Sequence, residues 1–286
     1  MNPYKTLVSE YVRFAREGKN YPLGEFAFPE THDIPQDAPK VLIFAPHPDD
    51  ETLVSALPLR LLRQSKWRVI NVPVTLGSNK TRQQERLNEL KNCCRYLGFE
   101  IFEVAPDGFE KVNCVTRNQF PDVWSKMLNR ISEILTTYKP QVILFPHNND
   151  WNSTHVGTHF LVADALKYMP LDFTCFTVET EYWGAMYNPD LMVELEEDMV
   201  SDITTALTFH IGEVRRNPYH LSLPAWLIDN TRRGSELVGG QGAKAPDFIF
   251  STLYRVRKWQ NGTMEKYYKG GKFLPIKENP SSLFSS

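Results

Sequence analysis

Short apolar runs alternate with longer amphipathic stretches along most of the chain. Four of the runs predict strands, and the runs 41–45 and 141–145 have the continuous apolar composition of strands that are buried on both faces of a parallel sheet. The four runs are residues 41–45, 68–74, 100–104 and 141–145. Between them, apolar residues recur at helical spacing in the stretches 58–64, 81–97 and 121–138. This repeated alternation predicts an α/β fold, with a Rossmann-like, mostly parallel sheet flanked by helices.

The pattern also divides the chain into three parts. Residues 1–39 predict an N-terminal helix, over 4–17, followed by a wrapping loop rich in proline and glycine. Residues 40–257 hold the alternating strands and helices. Residues 258–286 predict a β-hairpin extension and a tail, which we expect to be extended or partly disordered after Gly270.

Helix and strand are both expected in the C-terminal third of the chain. A helix is predicted over 196–214, with His210 on or near its apolar face as a structural residue, and a strand over 248–259. The glycines of 234–242 predict a flexible loop with no phosphate-binding fingerprint. Asn261-Gly262 predicts the tight turn of the hairpin.

Candidate chemistry follows the first apolar run directly, in the sequence Pro-His-Pro-Asp-Asp-Glu. Ligands of open α/β sheets bind just past the carboxyl ends of the strands. His47 and Asp50 suit a divalent ion, for which zinc is the usual choice. Asp49 could then deprotonate a metal-bound water, and Glu51 could orient His47. The alternative is that the three acidic residues only cap a helix.

A second cluster of histidines follows the fourth apolar run. His155 and His159 are four residues apart and would share a face of one helix. Ser153 or Thr154 could cap that helix and place His155 at its start, close to the strand ends. We therefore favour His155 as a third ligand, with His147 and His159 as the alternatives. Three ligands leave an open position, as in catalytic zinc sites.

At this point the sequence resembles a known family. Residues 46–51 resemble the His-Pro-Asp-Asp-Glu signature of the PIG-L/LmbE-like zinc deacetylases, which remove acetyl groups from N-acetylglucosamine-containing compounds. The resemblance implies that His47 and Asp50 bind zinc and that Asp49 is the general base. It also implies that His155 is the third ligand, at the second histidine of a later His-Pro-Asp-His segment.

The resemblance covers roughly residues 40–257, with one departure. Arg86 and Glu89, before Leu-Gly at a helix end, look like an Arg-x-x-Glu pair of the family. Arg86 either binds substrate oxygens or is a solvated helix charge. Asn152 stands where the family has a histidine thought to stabilise the oxyanion, and asparagine cannot carry a charge near neutral pH. His147 or His159 is a candidate to replace it.

Composition excludes several other classes of protein. The chain of 286 residues has a formal net charge of −2, so nothing indicates binding to nucleic acid or to an anionic membrane. Residues 1–20 are charged and are not expected to be a signal peptide, and no stretch is long enough to span a membrane. The four cysteines match no metal motif and are expected to be free thiols in a reducing cytosol. We therefore expect a cytoplasmic protein.

The sequence thus predicts a zinc-dependent N-deacetylase, although another divalent metal could serve. The expected substrate is a small acetylated amino sugar or glycoconjugate, similar to N-acetylglucosamine. One alternative is a non-catalytic module on the same scaffold that binds a sugar or a nucleotide. Another is a hydrolase of a different acyl amide. The sequence does not define the sugar, the metal in the cell or the oligomeric state.

Overall fold

The computed structural model describes residues 2–30 and 33–285 of the chain. Within these residues, nine strands form a single sheet. The strands are β1 (Lys40–Ala45), β2 (Arg68–Pro73), β3 (Glu100–Ile101), β4 (Val142–Pro146), β5 (Cys175–Thr180), β6 (Leu191–Leu195), β7 (Phe250–Gln260), β8 (Thr263–Lys266) and β9 (Lys272–Leu274). Their order is β3-β2-β1-β4-β5-β7-β6-β9, and β8 pairs with β7 alone. The first five strands in this order are parallel, while β7 is antiparallel to β5, β6 and β8. The predicted α/β fold with a mostly parallel sheet is confirmed.

Helices cover both faces of this sheet. The described helices are α1 (Pro3–Glu17), α2 (Asp50–Leu53), α3 (Ala56–Ser65), α4 (Gln83–Leu97), α5 (Cys114–Gln119), α6 (Pro121–Tyr138), α7 (Ser153–Leu166), α8 (Glu197–Leu207), α9 (Ile211–Arg216) and α10 (Leu223–Gly239), of which α1 buries none of its side chains. On β1, Val41 and Ile43 belong to the core that contains α3, α4 and α8. Leu42 and Phe44 belong to the core that contains α6 and α7. Both faces of β1 are therefore buried, as its continuous apolar run indicates.

The strand order places a crevice between β1 and β4. From β1 the chain moves to β2 and β3 on one side, and β4 and β5 then form on the other side. In such sheets, ligands bind outside the carboxyl ends of the strands where the order reverses. β1 ends at Ala45 and β4 at Pro146, so both histidine-containing segments begin at this crevice.

Three predictions about the C-terminal half are wrong. The predicted helix over 196–214 is two helices, α8 and α9, with a break at residues 208–210. Helix α10 continues to Gly239 instead of ending in a loop at Gly234, whose missing side chain allows close packing on Leu253 and Met192. The tail is ordered over residues 272–285, since β9 joins the sheet and a 3₁₀ turn at Pro280–Phe284 packs into the core.

Two other predictions hold. Asn261 and Gly262 both have positive φ, as a two-residue hairpin turn between β7 and β8 requires. The N-terminal helix α1 is present, but none of its side chains is buried.

None of the described helices has the length and apolar character needed to cross a membrane. His32, which the sequence places in the wrapping loop, lies outside the described residues.

Arg60 on α3 holds the C-terminal segment against the sheet. Its side chain is fully buried, and burial lowers its pKa to about 10, so the guanidinium is still charged at neutral pH. The guanidinium donates hydrogen bonds of 2.7–3.2 Å to five backbone carbonyls, which are those of Glu194, Leu274, Pro275, Ile276 and Glu278. This contact explains the order of the tail.

Replacing Arg60 should therefore destabilise the protein strongly. Arg60→Met keeps the apolar stem but removes the charged donor group that the five carbonyls share. We expect the free energy of unfolding to fall by about 3 kcal/mol or more in urea titrations. Arg63→Met is the matched control on the same helix, because it removes only a partly exposed ion pair with Asp202 and should cost less than about 1 kcal/mol. Equal losses in the two variants would contradict this role of Arg60.

Candidate metal centre

The loop after β1 turns sharply at Asp49. This residue has φ of 111° and ψ of −29°, a left-handed conformation that is strained for a residue other than glycine. Two neighbours stabilise the turn: Glu51 accepts a 2.9 Å hydrogen bond from the Asp49 amide, and Arg86 donates a 2.8 Å bond to the Pro48 carbonyl. The Asp49 side chain makes no capping bond to α2, so it does not serve as a simple helix cap.

Three side chains from this loop and from α7 converge on one point. The Asp50 Oδ2 atom lies 3.1 Å from His47 Nδ1 and 3.3 Å from His155 Nε2, and the two ring nitrogens are 3.3 Å apart. Ligands held at 2.0–2.1 Å by a tetrahedral zinc ion lie about 3.3 Å from one another. The three donor atoms therefore already have the spacing that a single divalent ion requires.

The charges of these groups fit a cation as well. Burial alone would lower the pKa of His155, but the carboxylates of Asp50 and Asp150 raise it to about 10. Burial would raise the pKa of Asp50, but His155 and His47 hold it below its usual value. Asp50 is 2% exposed and His155 is 0% exposed. Water therefore cannot screen the negative charge of the Asp50 carboxylate from the His155 ring. A pocket that binds a proton this strongly also favours a metal ion in its place.

Asp150 contacts the His155 ring at Nδ1, the nitrogen that does not face Asp50. Its Oδ2 atom lies 3.3 Å from His155 Nδ1, and its carboxylate also accepts hydrogen bonds from the amides of Asn152 and Gly184. A carboxylate on the outer nitrogen fixes the orientation and tautomer of a metal-binding histidine. Asp150 was not among the predicted site residues. The available signal was that Asp150 is the only acidic residue between His147 and His155.

Asp49 lies beside the centre and is partly buried. Burial and the charge of Asp50 raise the pKa of Asp49 to about 6, against the opposing effects of His210, Arg86 and Tyr219. The Tyr219 hydroxyl donates a hydrogen bond to Asp49 Oδ2, and Arg86 Nη2 lies 3.8 Å from Asp49 Oδ1. Tyr219 comes from a 3₁₀ turn at Tyr219–Leu221 and was not predicted, because a tyrosine 170 residues away carries no signal in the sequence.

The other sequence candidates have different partners. Both ring nitrogens of His147 are engaged, Nε2 with the Gly184 carbonyl at 2.8 Å and Nδ1 with the Asn149 amide at 3.2 Å. His159 Nδ1 donates to the Pro146 carbonyl at 2.9 Å. Asn152 caps α7 by accepting from the Thr154 amide, so the expectation that Ser153 or Thr154 is the cap is wrong. Of these histidines, His155 is the one that faces His47 and Asp50.

A second buried cluster does not have the geometry of a metal site. Glu51, Cys93 and His210 offer three potential ligand atoms. However, His210 Nε2 and Glu51 Oε1 are 2.7 Å apart, which is a hydrogen bond and is shorter than the spacing of two zinc ligands. Burial and the nearby Glu51 raise the pKa of the Cys93 thiol well above its ordinary value, so the thiol keeps its proton when no metal is bound. His210 is thus a structural partner that holds Glu51, which in turn holds Asp49.

Comparison with known proteins gives a family for this part of the chain. The family model PIG-L, GlcNAc-PI de-N-acetylase, matches residues 42–166, which include the centre and both of its loops. The PIG-L resemblance is confirmed. No curated protein matches the sequence. The expected boundaries of the wider domain, 40–257, stay a prediction.

Solved structures share the fold of this chain at low sequence identity. N,N'-diacetylchitobiose deacetylase from Pyrococcus horikoshii is 16% identical, with a TM-score of 0.57 over 87% of this chain and 91% of the other. The A40926 pseudoaglycone deacetylase Dbv21 is 15% identical, with a TM-score of 0.55 over 77% and 98%. GalB, the 4-carboxy-2-hydroxymuconate hydratase from Pseudomonas putida KT2440, is 12% identical, with a TM-score of 0.56 over 76% and 95%. A hydratase and two deacetylases thus share one scaffold, so the fold alone does not define the reaction.

Removal of the Asp150 carboxylate should weaken metal binding. In Asp150→Asn, His155 loses the charge that orients its ring, and we expect the affinity for Zn²⁺ to fall about 10–100-fold in competition titrations with a chromogenic chelator. Asp164→Asn is the matched control on α7, because Asp164 pairs with Arg117 and not with His155. Unchanged affinity in Asp150→Asn would show that His155 is not a ligand held by this carboxylate.

Proposed function

We propose that the protein is a metal-dependent amidohydrolase that removes the acetyl group from an N-acetylated amino sugar or sugar conjugate. The observation that carries this proposal is the convergence of His47, Asp50 and His155 on one point, with Asp49 beside it. The match of the same residues to the GlcNAc-PI de-N-acetylase model supports deacetylation as the reaction. Zinc is the metal that this donor set suits best.

In this proposal each residue of the centre has a distinct task. A bound divalent ion would polarise the amide carbonyl and lower the pKa of an attacking water. His47, Asp50 and His155 would hold that ion, and Asp150 would fix the His155 ring. Asp49 would accept a proton from the attacking water and transfer it to the nitrogen as the carbon–nitrogen bond breaks. The products are acetate and a free amine.

Tyr219 and Arg86 would orient Asp49 in this scheme. Burial and the adjacent Asp49 carboxylate raise the pKa of Tyr219, so its hydroxyl stays protonated and donates to Asp49. Arg86 binds the Pro48 carbonyl next to the strained turn. The family histidine is replaced by Asn152, whose oxygen is engaged in capping α7. We therefore propose that Tyr219 and Arg86 complete the site by orienting Asp49. We also propose that neither His147 nor His159 takes the place of the family histidine.

The function is tested by screening acetylated amino sugars for release of a free amine. We expect the zinc-loaded protein to deacetylate at least one N-acetylglucosamine derivative, and exhaustive chelation to abolish this activity. Asp49→Asn should lower kcat by about 10²–10⁴-fold while the protein still binds one equivalent of Zn²⁺. Asp229→Asn, a substitution in the exposed part of α10, is the control.

Two results would contradict the proposal. Full activity after chelation would exclude a metal-dependent reaction. Binding of acetylated sugars in calorimetry without any turnover would instead support a non-catalytic sugar-binding module.

Loss of the Tyr219 hydroxyl should affect turnover more than binding. A hydrogen bond to a charged group contributes about 1.5–3 kcal/mol, so Tyr219→Phe should lower kcat about tenfold to a hundredfold. The ring is kept, so KM should change less than kcat. Tyr187→Phe is the control, since Tyr187 is 81% exposed. A kcat within twofold of the wild-type value in Tyr219→Phe would show that this hydroxyl does not assist Asp49.

A further inference from the structure

An apolar cavity of about 320 Å³ opens beside the metal centre. Its walls are mainly aromatic and aliphatic, with Leu53, Tyr182, Trp183, Tyr219, Leu223 and Trp226 among the lining residues. Two of these residues contact the centre itself. Tyr219 donates to Asp49, and the Tyr182 ring packs edge-on against His155 with a centroid distance of 4.8 Å. The cavity, which we call the aromatic cavity, therefore adjoins the reaction site through these two wall residues.

A second cavity of about 380 Å³ borders the same centre and has a different character. His47 lies in its wall, together with hydrogen-bonding side chains that include Lys80, Gln83, Asn113 and Thr154. The two cavities share no lining residue. We call this one the polar cavity. The centre thus has separate polar and apolar compartments next to it.

The wall of the aromatic cavity is mostly apolar, and two of its hydroxyl groups already donate hydrogen bonds within the protein. The Tyr219 hydroxyl is bonded to Asp49, and the Ser222 hydroxyl, also in the lining, is bonded to the Tyr219 carbonyl. A sugar bound there would lose water from more hydroxyls than this mostly apolar wall can pair, which costs free energy for each unpaired group. The wall of the polar cavity has more hydrogen-bonding side chains, among which Lys80, Gln83 and Asn113 also bond within the protein. An apolar group gains from the aromatic cavity instead.

We propose that the aromatic cavity is a subsite for the acyl group of the substrate, and that it takes acyl chains longer than acetyl. This inference rests on the proposed amide hydrolysis. In the amide, the sugar is attached to nitrogen and the acyl chain to the carbonyl carbon, so the two groups lie on different sides of the bond that breaks. The sugar then occupies the polar cavity and the acyl group the aromatic one. A methyl group is about the size of a water molecule, whose share of the liquid is about 30 Å³, so an acetyl group would leave most of the cavity empty.

The test compares N-acetyl-, N-butanoyl- and N-hexanoylglucosamine as substrates of the zinc-loaded, full-length protein. Each methylene that is buried in the cavity should raise kcat/KM about fourfold, which corresponds to about 0.8 kcal/mol. The hexanoyl sugar should therefore be preferred over the acetyl sugar by about two orders of magnitude. A flat or falling series would overturn the acyl subsite.

Substitution of a wall residue tests whether this cavity causes the preference. Leu223→Phe on α10 narrows the cavity and should lower the hexanoyl-to-acetyl ratio of kcat/KM at least tenfold. Ile228→Phe adds the same volume on the exposed side of α10 and should leave the ratio unchanged. An unchanged ratio in Leu223→Phe would overturn the assignment. If that variant does not fold, the substrate series in the wild-type protein still decides the question.

Binding measurements separate this inference from the proposed function. Calorimetry on Asp49→Asn should show tighter binding of the hexanoyl sugar than of the acetyl sugar without turnover. Hydrolysis of the acetyl sugar with no chain-length preference would overturn the subsite and leave the proposed function intact. Failure to hydrolyse any N-acyl sugar would overturn the function, and calorimetry would then decide the subsite alone. A preference for alkyl glycosides of N-acetylglucosamine, and not for longer acyl groups, would overturn the acyl assignment.

Discussion

Burial of the Asp50 carboxylate between two imidazoles is the constraint on which the rest of the site depends. A buried carboxylate is stable only with a positive partner close by. His47 and His155 supply that partner when they bind a proton, and they can supply it equally by sharing a divalent ion. Because the three donor atoms are 3.1–3.3 Å apart, one ion would satisfy all of them without rearrangement of the backbone.

The sheet topology explains how residues 108 positions apart in the chain come to share one ion. β1 and β4 are neighbouring parallel strands, and each ends where its histidine-containing loop begins. A set of contacts around the first loop then directs Asp49 toward the centre: Glu51 holds its amide, and His210 holds Glu51 in turn. The strained backbone at Asp49 is maintained because these neighbours fix it, which is common at reactive positions.

Much of this arrangement could be predicted from the sequence, and the rest could not for identifiable reasons. Apolar runs that end in polar clusters revealed the strands and the positions of His47, Asp50 and His155. Tyr219 was missed because it reaches the site from a distant part of the chain, where neither periodicity nor spacing relates it to the centre. For the same reason the structural role of His210 was predicted, but its pairing with Glu51 was not. The order of the tail was missed because Arg60 binds backbone carbonyls, and every residue in the chain has one.

X-ray absorption spectroscopy of the zinc-loaded protein tests the central claim most directly. If His47, Asp50 and His155 hold the ion, the nearest shell contains only nitrogen and oxygen at about 2.0–2.2 Å, with the multiple scattering of two imidazoles. A sulfur neighbour at about 2.3 Å would place the ion at Cys93 instead, in the cluster with Glu51 and His210. That result would contradict the account of the metal centre.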